Sequence, residues 1–148
     1  MYKNILVAID GSNTSTLALR EAINVAKEQS ARLRLVHVID MSPFTTADTG
    51  LIDDAKLEEV LFKAGQTIMD EAVGEVQKAG LKVETILPQN LNQRIGTVIV
   101  DEAKRWGADL IVIGTHGRRG IQHFVLGSVA EQVARAATHP VLLIPSRR

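Results

Sequence analysis

The stretch DLIVIGTHGRRGIQHFVLGSVAEQVARAA (Asp109–Ala137) decides how the chain folds. Its opening DLIVI is an uninterrupted apolar run of strand length, the pattern of a strand buried on both faces of a sheet. Its close, from about Ser128 to Ala137, reads as a helix. Between them about thirteen residues carry four glycines and the adjacent Arg118 and Arg119, whereas strand-to-helix connections usually take ~2–6 residues. A turn needs far less chain, so the segment reads as a functional loop at the end of a strand.

The same strand-then-helix unit recurs on either side. NILVAID (Asn4 to Asp10) is a β-branched apolar run, and the hydroxyl-rich GSNTST leads into a helix on which Leu19, Ala22, Ile23 and Ala26 recur at helical spacing. RLRLVHVID (Arg32 to Asp40) predicts a second strand, followed by the loop MSPFTTADTG. A long helix is expected from about Asp53 to Ala79, with an apolar stripe of Leu57, Val60, Leu61, Ala64, Ile68, Ala72 and Val76. KVETILP closes a third strand at Pro88, and a helix follows from about Ile95 to Trp106, ended by Gly107. PVLLIP (Pro140 to Pro145) supplies a fifth strand. Strands alternating with helices predict an α/β open sandwich: a parallel sheet with helices on both faces. Ligands of such sheets sit beyond the carboxyl ends of the strands, where the strand order reverses.

Length, composition and charge bound the function. The 148 residues are expected to form one domain spanning 1–148, with 45% apolar and 23% charged residues and no low-complexity linker. Lys+Arg 17 balance Asp+Glu 17, which argues against a general nucleic-acid or membrane-surface binder. The absence of cysteine removes disulfides, thiolate metal sites and thiol catalysis. No run approaches the ~18 apolar residues of a membrane span, and MYKNILVAIDGS lacks the features of a signal peptide. A cytoplasmic protein is the expectation.

The first and fourth strands both end in residues unsuited to a core, Asp10-Gly11-Ser12 and Gly114-Thr115-His116-Gly117. If these strands are neighbours, their loops line one crevice. Gly114 and Gly117 allow close backbone approach, and Gly127-Ser128 at a helix start offers unpaired N–H groups, a hydroxyl and the positive end of the dipole. These are parts of a phosphate cradle, yet a Gly-Ser pair before a helix is also an ordinary cap, and spacing alone leaves both readings open. Neither GxxxxGK[ST] nor GxGxxG occurs.

The residues carry a family resemblance. Gly114, Gly117, Gly127 and Ser128 meet the pattern Gly, two residues, Gly, nine residues, Gly, Ser, which resembles the signature of the nucleotide-binding branch of the universal stress protein family. ILVAIDGS, LVHVID, ADLIVIGTHGRRG and HPVLLIP resemble family blocks in family order, so the likeness covers essentially the whole chain and is weakest from about Met41 to Asn92. It implies a five-stranded sheet of order 3-2-1-4-5 in the Rossmann-like, adenine nucleotide alpha hydrolase-like group, binding ATP, AMP or another adenine nucleotide. It further implies that Ala8, Ile9 and Val38 wall or pair with the adenine, that Asp10 accepts from ribose hydroxyls, and that Ile113 and Gly114 lie against the sugar. Gly117, Gly127, Ser128 and the Val129 amide would hold phosphates together with Arg118, and Mg²⁺ or Mn²⁺ would bridge phosphate oxygens. It also implies a homodimer paired through the last strand, Val141, Leu142, Leu143 and Ile144.

No catalytic residue is assigned. ATP hydrolysis needs a group that orients the attacking water, and apart from Gln122 the phosphate-facing segment has no Gln, Asp or Glu. Binding with at most slow turnover is expected, the nucleotide setting conformation or partner choice. A genuine ATP hydrolase or ATP-dependent transferase using the same crevice is the alternative, although DGSNTS is neither SGGxDS nor HxGH. A flavin binder and a phosphorylatable receiver fit less well: one Trp and one Tyr are present, and the third strand ends in Leu87-Pro88. His37 reads as a satisfied interior residue, and His116 as a residue within reach of a nucleotide. No HExxH motif or carboxylate-His cluster suggests an intrinsic metal site.

Overall fold

The structure, a computed structural model, describes residues 1–45, 53–117 and 125–146. Five parallel strands form the main sheet: β1 (Asn4–Ala8), β2 (Arg32–Val36), β4 (Val83–Ile86), β6 (Leu110–Gly114) and β7 (Val141–Ile144). Their spatial order is β4-β2-β1-β6-β7, which is 3-2-1-4-5 when these five are counted alone, as the resemblance implies. The helices are α1 (Asn13–Gln29), the short α2 (Ser42–Thr45), α3 (Asp54–Lys78), α4 (Ile95–Trp106) and α5 (Ser128–Ala136).

The pleat sorts the central strands between two cores. Ile5 and Val7 of β1, with Leu110 and Val112 of β6, pack under α1 and α3 against Leu19, Ile23, Met69 and Val76. Leu6 and Ala8, with Ile111 and Ile113, pack under α4 and α5 against Ile99, Val100, Ala103 and Val133. Alternate residues go to opposite faces. A strand of this kind has no solvated side, which is why the apolar runs at the first and fourth strands carry no polar interruption.

Two expectations are corrected. The run Arg32 to Asp40 does not form one strand: β2 stops at Val36, and β3 (Ile39–Asp40) pairs instead with β5 (Gln89–Asn90) in a separate two-stranded sheet. At that level β1 has ended, because Gly11, at φ 80°, turns the chain into α1. The β2 extension therefore follows only the other neighbour, through His37 N–H to Ile86 O, Ile39 N–H to Pro88 O and Met41 N–H to Asn90 O. Proline has no N–H with which to continue the ladder. Asn90, 2% exposed, ends this small sheet by donating to Asp40 Oδ1 at 3.0 Å and Gln93 O at 2.7 Å.

The apolar stripe on α3 is also shorter than expected. Its buried residues are Gly65, Met69, Ala72 and Val76, and Val60 is 63% exposed. A helix of 25 residues extends about 37 Å at 1.5 Å per residue, whereas a strand of 4 or 5 residues reaches about 13–17 Å. The first half of α3 runs past the end of the sheet it packs on. Among the described residues no helix is long and apolar enough to cross a membrane.

Beyond α4 the sheet is closed by charge. Glu102, 1% exposed, accepts from Arg34 Nη1 and Arg105 Nη1, each at 2.7 Å. Arg34 also reaches Glu84 and lies over the Trp106 ring, its Cζ 4.8 Å from the centroid. That hydrogen bond from the guanidinium holds the Glu84 carboxyl below its usual value.

Arg34→Met leaves the buried Glu102 with Arg105 alone and should lower the unfolding free energy by roughly 2–3 kcal/mol. Glu102→Met in the same chain should recover most of that loss. Urea denaturation of the two variants checks both; an unchanged midpoint for Arg34→Met would remove the ion pair from the account of stability.

Candidate functional site

Adjacent parallel strands β1 and β6, in register Ile5↔Leu110 to Val7↔Val112, release their chains side by side at the same edge of the sheet. The chain after β1 turns at once into α1 under the control of its own side chains. Asp10 Oδ1 accepts from Ser12 N–H at 2.8 Å, and Ser12 Oγ caps the helix by accepting from Ser15 N–H at 3.1 Å. Asp10 N–H donates to Ser15 Oγ at 3.4 Å. The hydroxyl-rich segment thus builds an N-cap that fixes the carboxylate at the crevice mouth.

The other Asp10 oxygen, Oδ2, faces Gly117. A Cβ on Gly117 would lie 2.8 Å from it, so any larger residue would fill the space beside the carboxylate. Gly114 has the same relation to α1: a Cβ there would meet Thr14 Cγ2 at 2.6 Å and the Thr14 backbone at 3.1 Å. The loop after β6 is pinched at its base, where Gly127 N–H donates to Thr115 O at 2.7 Å and a Gly127 Cβ would come within 2.8 Å of that oxygen. The chain therefore leaves Thr115 and returns to Gly127 at nearly one point, directly in front of α5.

Gly127 caps α5 without a side-chain hydrogen bond. Among the described residues no side chain caps the first amides of this helix, which lie next to the exposed Ser128 and the half-buried Val129 at the positive end of the dipole. His116 adds a second uncommitted group. Its Nδ1 lies 2.9 Å from Thr115 Oγ1, while its Nε2 is buried with no partner among the described residues. A buried ring nitrogen in that state is one a ligand or water would complete.

The apolar candidates divide. Ala8, Val38, Ile113 and Val129 all belong to or pack against the cluster on the α4 and α5 side. Ile9 does not, because the pleat turns its side chain into the opposite core. Its N–H donates to Val36 O at 2.9 Å, and its carbonyl lies 2.8 Å from His37 Nδ1. Ile9 thus packs on the opposite side of the sheet from the other four. Arg118 lies outside the described residues.

Some contributors were not evident from the sequence. Thr14 and Thr115 gain their places only from the close approach of two loops, which no local pattern announces. Gln132 of α5 accepts from Gly96 N–H at the start of α4 at 2.9 Å, replacing the cap that Arg94 does not provide. A cleft of about 380 Å³ beside them is lined by Arg94, Thr97, Arg135 and, shared with the crevice, Ser128.

Comparison with known proteins agrees with this fold. The model of the "Universal stress protein family" matches residues 1–145. The chain is similar to universal stress protein MJ0531 of Methanocaldococcus jannaschii, 36% identical over 97% of this chain and 82% of that one. It is equally similar to universal stress protein YxiE of Bacillus subtilis, 36% identical over 97% and 99%. Among solved structures, hypothetical protein MJ0577 superposes with a TM-score of 0.86 at 28% identity, covering 100% of this chain and 99% of that one. A universal stress protein from Archaeoglobus fulgidus in complex with dAMP gives 0.68 at 28% identity over 97% and 98%. One in complex with cAMP gives 0.69 at 25% identity over 97% and 96%.

The close packing at Gly114 has a measurable signature. Gly114→Ala drives a methyl into the Thr14 backbone and should destabilise by about 1–3 kcal/mol. Gly74→Ala, within α3 where a Cβ would meet nothing within 4 Å, should stabilise by roughly 0.5–1 kcal/mol. Equal effects in urea denaturation would mean that Gly114 is not in close contact with α1.

Proposed function

The chain belongs to the universal stress protein family, and from that premise we propose that it binds an adenine nucleotide, ATP or AMP, between the ends of β1 and β6. It acts in this reading as a nucleotide-dependent stress-response module. The observation that carries the proposal is the close approach of Gly117 to the Asp10 carboxylate, together with the start of α5 where Gly127 meets Thr115. The dAMP and cAMP bound by two structural neighbours support it.

The chemistry of the crevice suits the ligand. Asp10 Oδ2 would accept from ribose hydroxyls, with Gly114 and Ile113 against the sugar. Ala8 and Val38 offer the adenine an apolar wall, and Ile9 stiffens it from behind. The Val129 amide and Ser128, with Gly117, Gly127 and Arg118, would hold the phosphates, the Gly127 N–H itself being bonded to Thr115 O. A single exposed dipole contact is worth ~0.3–1 kcal/mol, so several must act together. Mg²⁺ or Mn²⁺ would be held mainly by phosphate oxygens, since Asp10 is committed to its turn and to the sugar. Apart from Gln122 the phosphate-facing segment of the sequence has no Gln, Asp or Glu to orient the attacking water, so turnover would be slow.

Unfolding the purified protein and identifying the released small molecule by mass spectrometry should yield an adenine nucleotide. Calorimetric titration with ATP and AMP, with and without magnesium, should show binding that is abolished by Gly127→Val or Ser128→Arg. Steady-state hydrolysis should stay below the ~1 s⁻¹ of committed enzymes. Failure of both nucleotides to bind the unaltered chain would reduce the glycine loop to structure.

We also propose that two copies pair through β7. This strand is the sheet edge opposite β4, and Val141, Leu142, Leu143 and Ile144 are each only half-buried. An apolar edge in this state offers its backbone groups to a second chain. Leu142→Lys should convert a dimer to a monomer by light scattering while circular dichroism stays unchanged; a persistent dimer would locate the interface elsewhere.

A further inference from the structure

We infer that His37 is a positioning residue for the nucleotide and that, through its contact with Gly65, the long helix α3 is coupled to the crevice. The inference rests on the nucleotide reading above and adds to it a residue that touches no ligand.

His37 lies between β2 and β3, where the second strand loses β1 as a partner. Its backbone N–H donates to Ile86 O at 3.1 Å, and its Nδ1 lies 2.8 Å from Ile9 O. A carbonyl can only accept, so Nδ1 carries the proton in this contact. Ile9 N–H already donates to Val36 O. The Ile9 residue is therefore held through both of its backbone groups, one by β2 and one by the imidazole. The next residue along the chain is Asp10, and the residue after His37 is Val38. One ring thus fixes the attachment points of the ribose acceptor and of the base wall.

The far edge of the ring abuts α3. A Cβ on Gly65 would lie 2.8 Å from His37 Cδ2, 3.1 Å from Nε2 and 3.3 Å from Leu87 Cδ2. Glycine is a poor helix former in a helix interior, and here the absence of a side chain is what admits the ring. Gly65 is also the first buried residue of α3. The ring therefore stands where the helix passes from its exposed half to its packed half. Any displacement of α3 at this point presses on the group that holds Ile9, and by linkage a nucleotide that fixes Asp10 and Val38 acts back on α3.

The test is a calorimetric titration of the full chain with ATP and AMP. His37→Ala should lower the affinity about tenfold or more, whereas His37→Asn, whose amide can donate to the same carbonyl, should stay within about threefold of the unaltered protein. Gly65→Ala should also weaken binding, and should do so less in the His37→Ala background, which has no ring for the methyl to strike. Nitrogen NMR at alkaline pH should find the His37 proton on Nδ1 whether or not nucleotide is present. Unchanged affinity for His37→Ala, an equal cost of Gly65→Ala in both backgrounds, or a proton on Nε2 each overturns the inference while leaving the nucleotide reading intact. If His37→Ala does not fold, the Asn and Gly65 variants decide alone. An unaltered chain that binds neither nucleotide overturns both.

Discussion

β1 is paired along both edges, with β2 on one side and β6 on the other, and its side chains enter two different cores. It is the central one of the five strands, with two strands on either side. When such a strand ends, its next residues inherit a fixed position and direction, and the neighbouring strands must go on without it. The turn at Asp10 and Gly11 opens the crevice by removing β1 from between β2 and β6. The same event breaks the second strand after Val36 and sends β3 toward β5. The crevice and the broken strand are two consequences of one chain ending.

Around the crevice, three chemically different kinds of group are brought together. An acidic group sits at the end of β1, apolar side chains lie on the α4 and α5 side, and the uncapped amides of α5 face the other end. These groups suit the hydroxyls, flat base and anionic phosphates of the proposed nucleotide. Asp10 stays close to the loop after β6 because Gly117 has no side chain, so the carboxylate is aimed by what is missing opposite it as much as by its own bond to Ser12.

Much of this was legible in the sequence because it depends on local pattern. The buried strands appeared as apolar runs, the α1 cap as a cluster of hydroxyls, and the α4 end as Gly107, whose φ of 76° no larger residue adopts readily. What escaped detection depends on distance in space. The break at His37 required knowing that β1 stops alongside it, and the exposure of Val60 required comparing the length of α3 with that of the sheet. The placement of Ile9 apart from Ala8 follows from alternation along β1, so the sequence contained the signal even though the resemblance grouped them. For Gln132 and Gly96 there was none, since a side chain that caps a different helix 36 residues away leaves no periodic trace.

That last contact shows how the phosphate end of the crevice is kept in place. α5 is short, and its packed residues are few, Ala130 and Val133 being the buried ones. Such a helix would be poorly located by burial alone. Gln132 ties it to the first turn of α4, where a Cβ on Gly96 would fall 2.3 Å from Gln132 Cβ and 3.1 Å from Val129 O. α4 is in turn anchored to β2 through Glu102 and Arg34, and β2 leads directly into His37. The start of α5 and the carboxylate of Asp10 therefore sit at two ends of one continuous set of contacts running through α4 and β2. A ligand that spans both ends closes that set into a ring, so its binding would resist separation of α5 from α4 as well as movement of the loops that touch it.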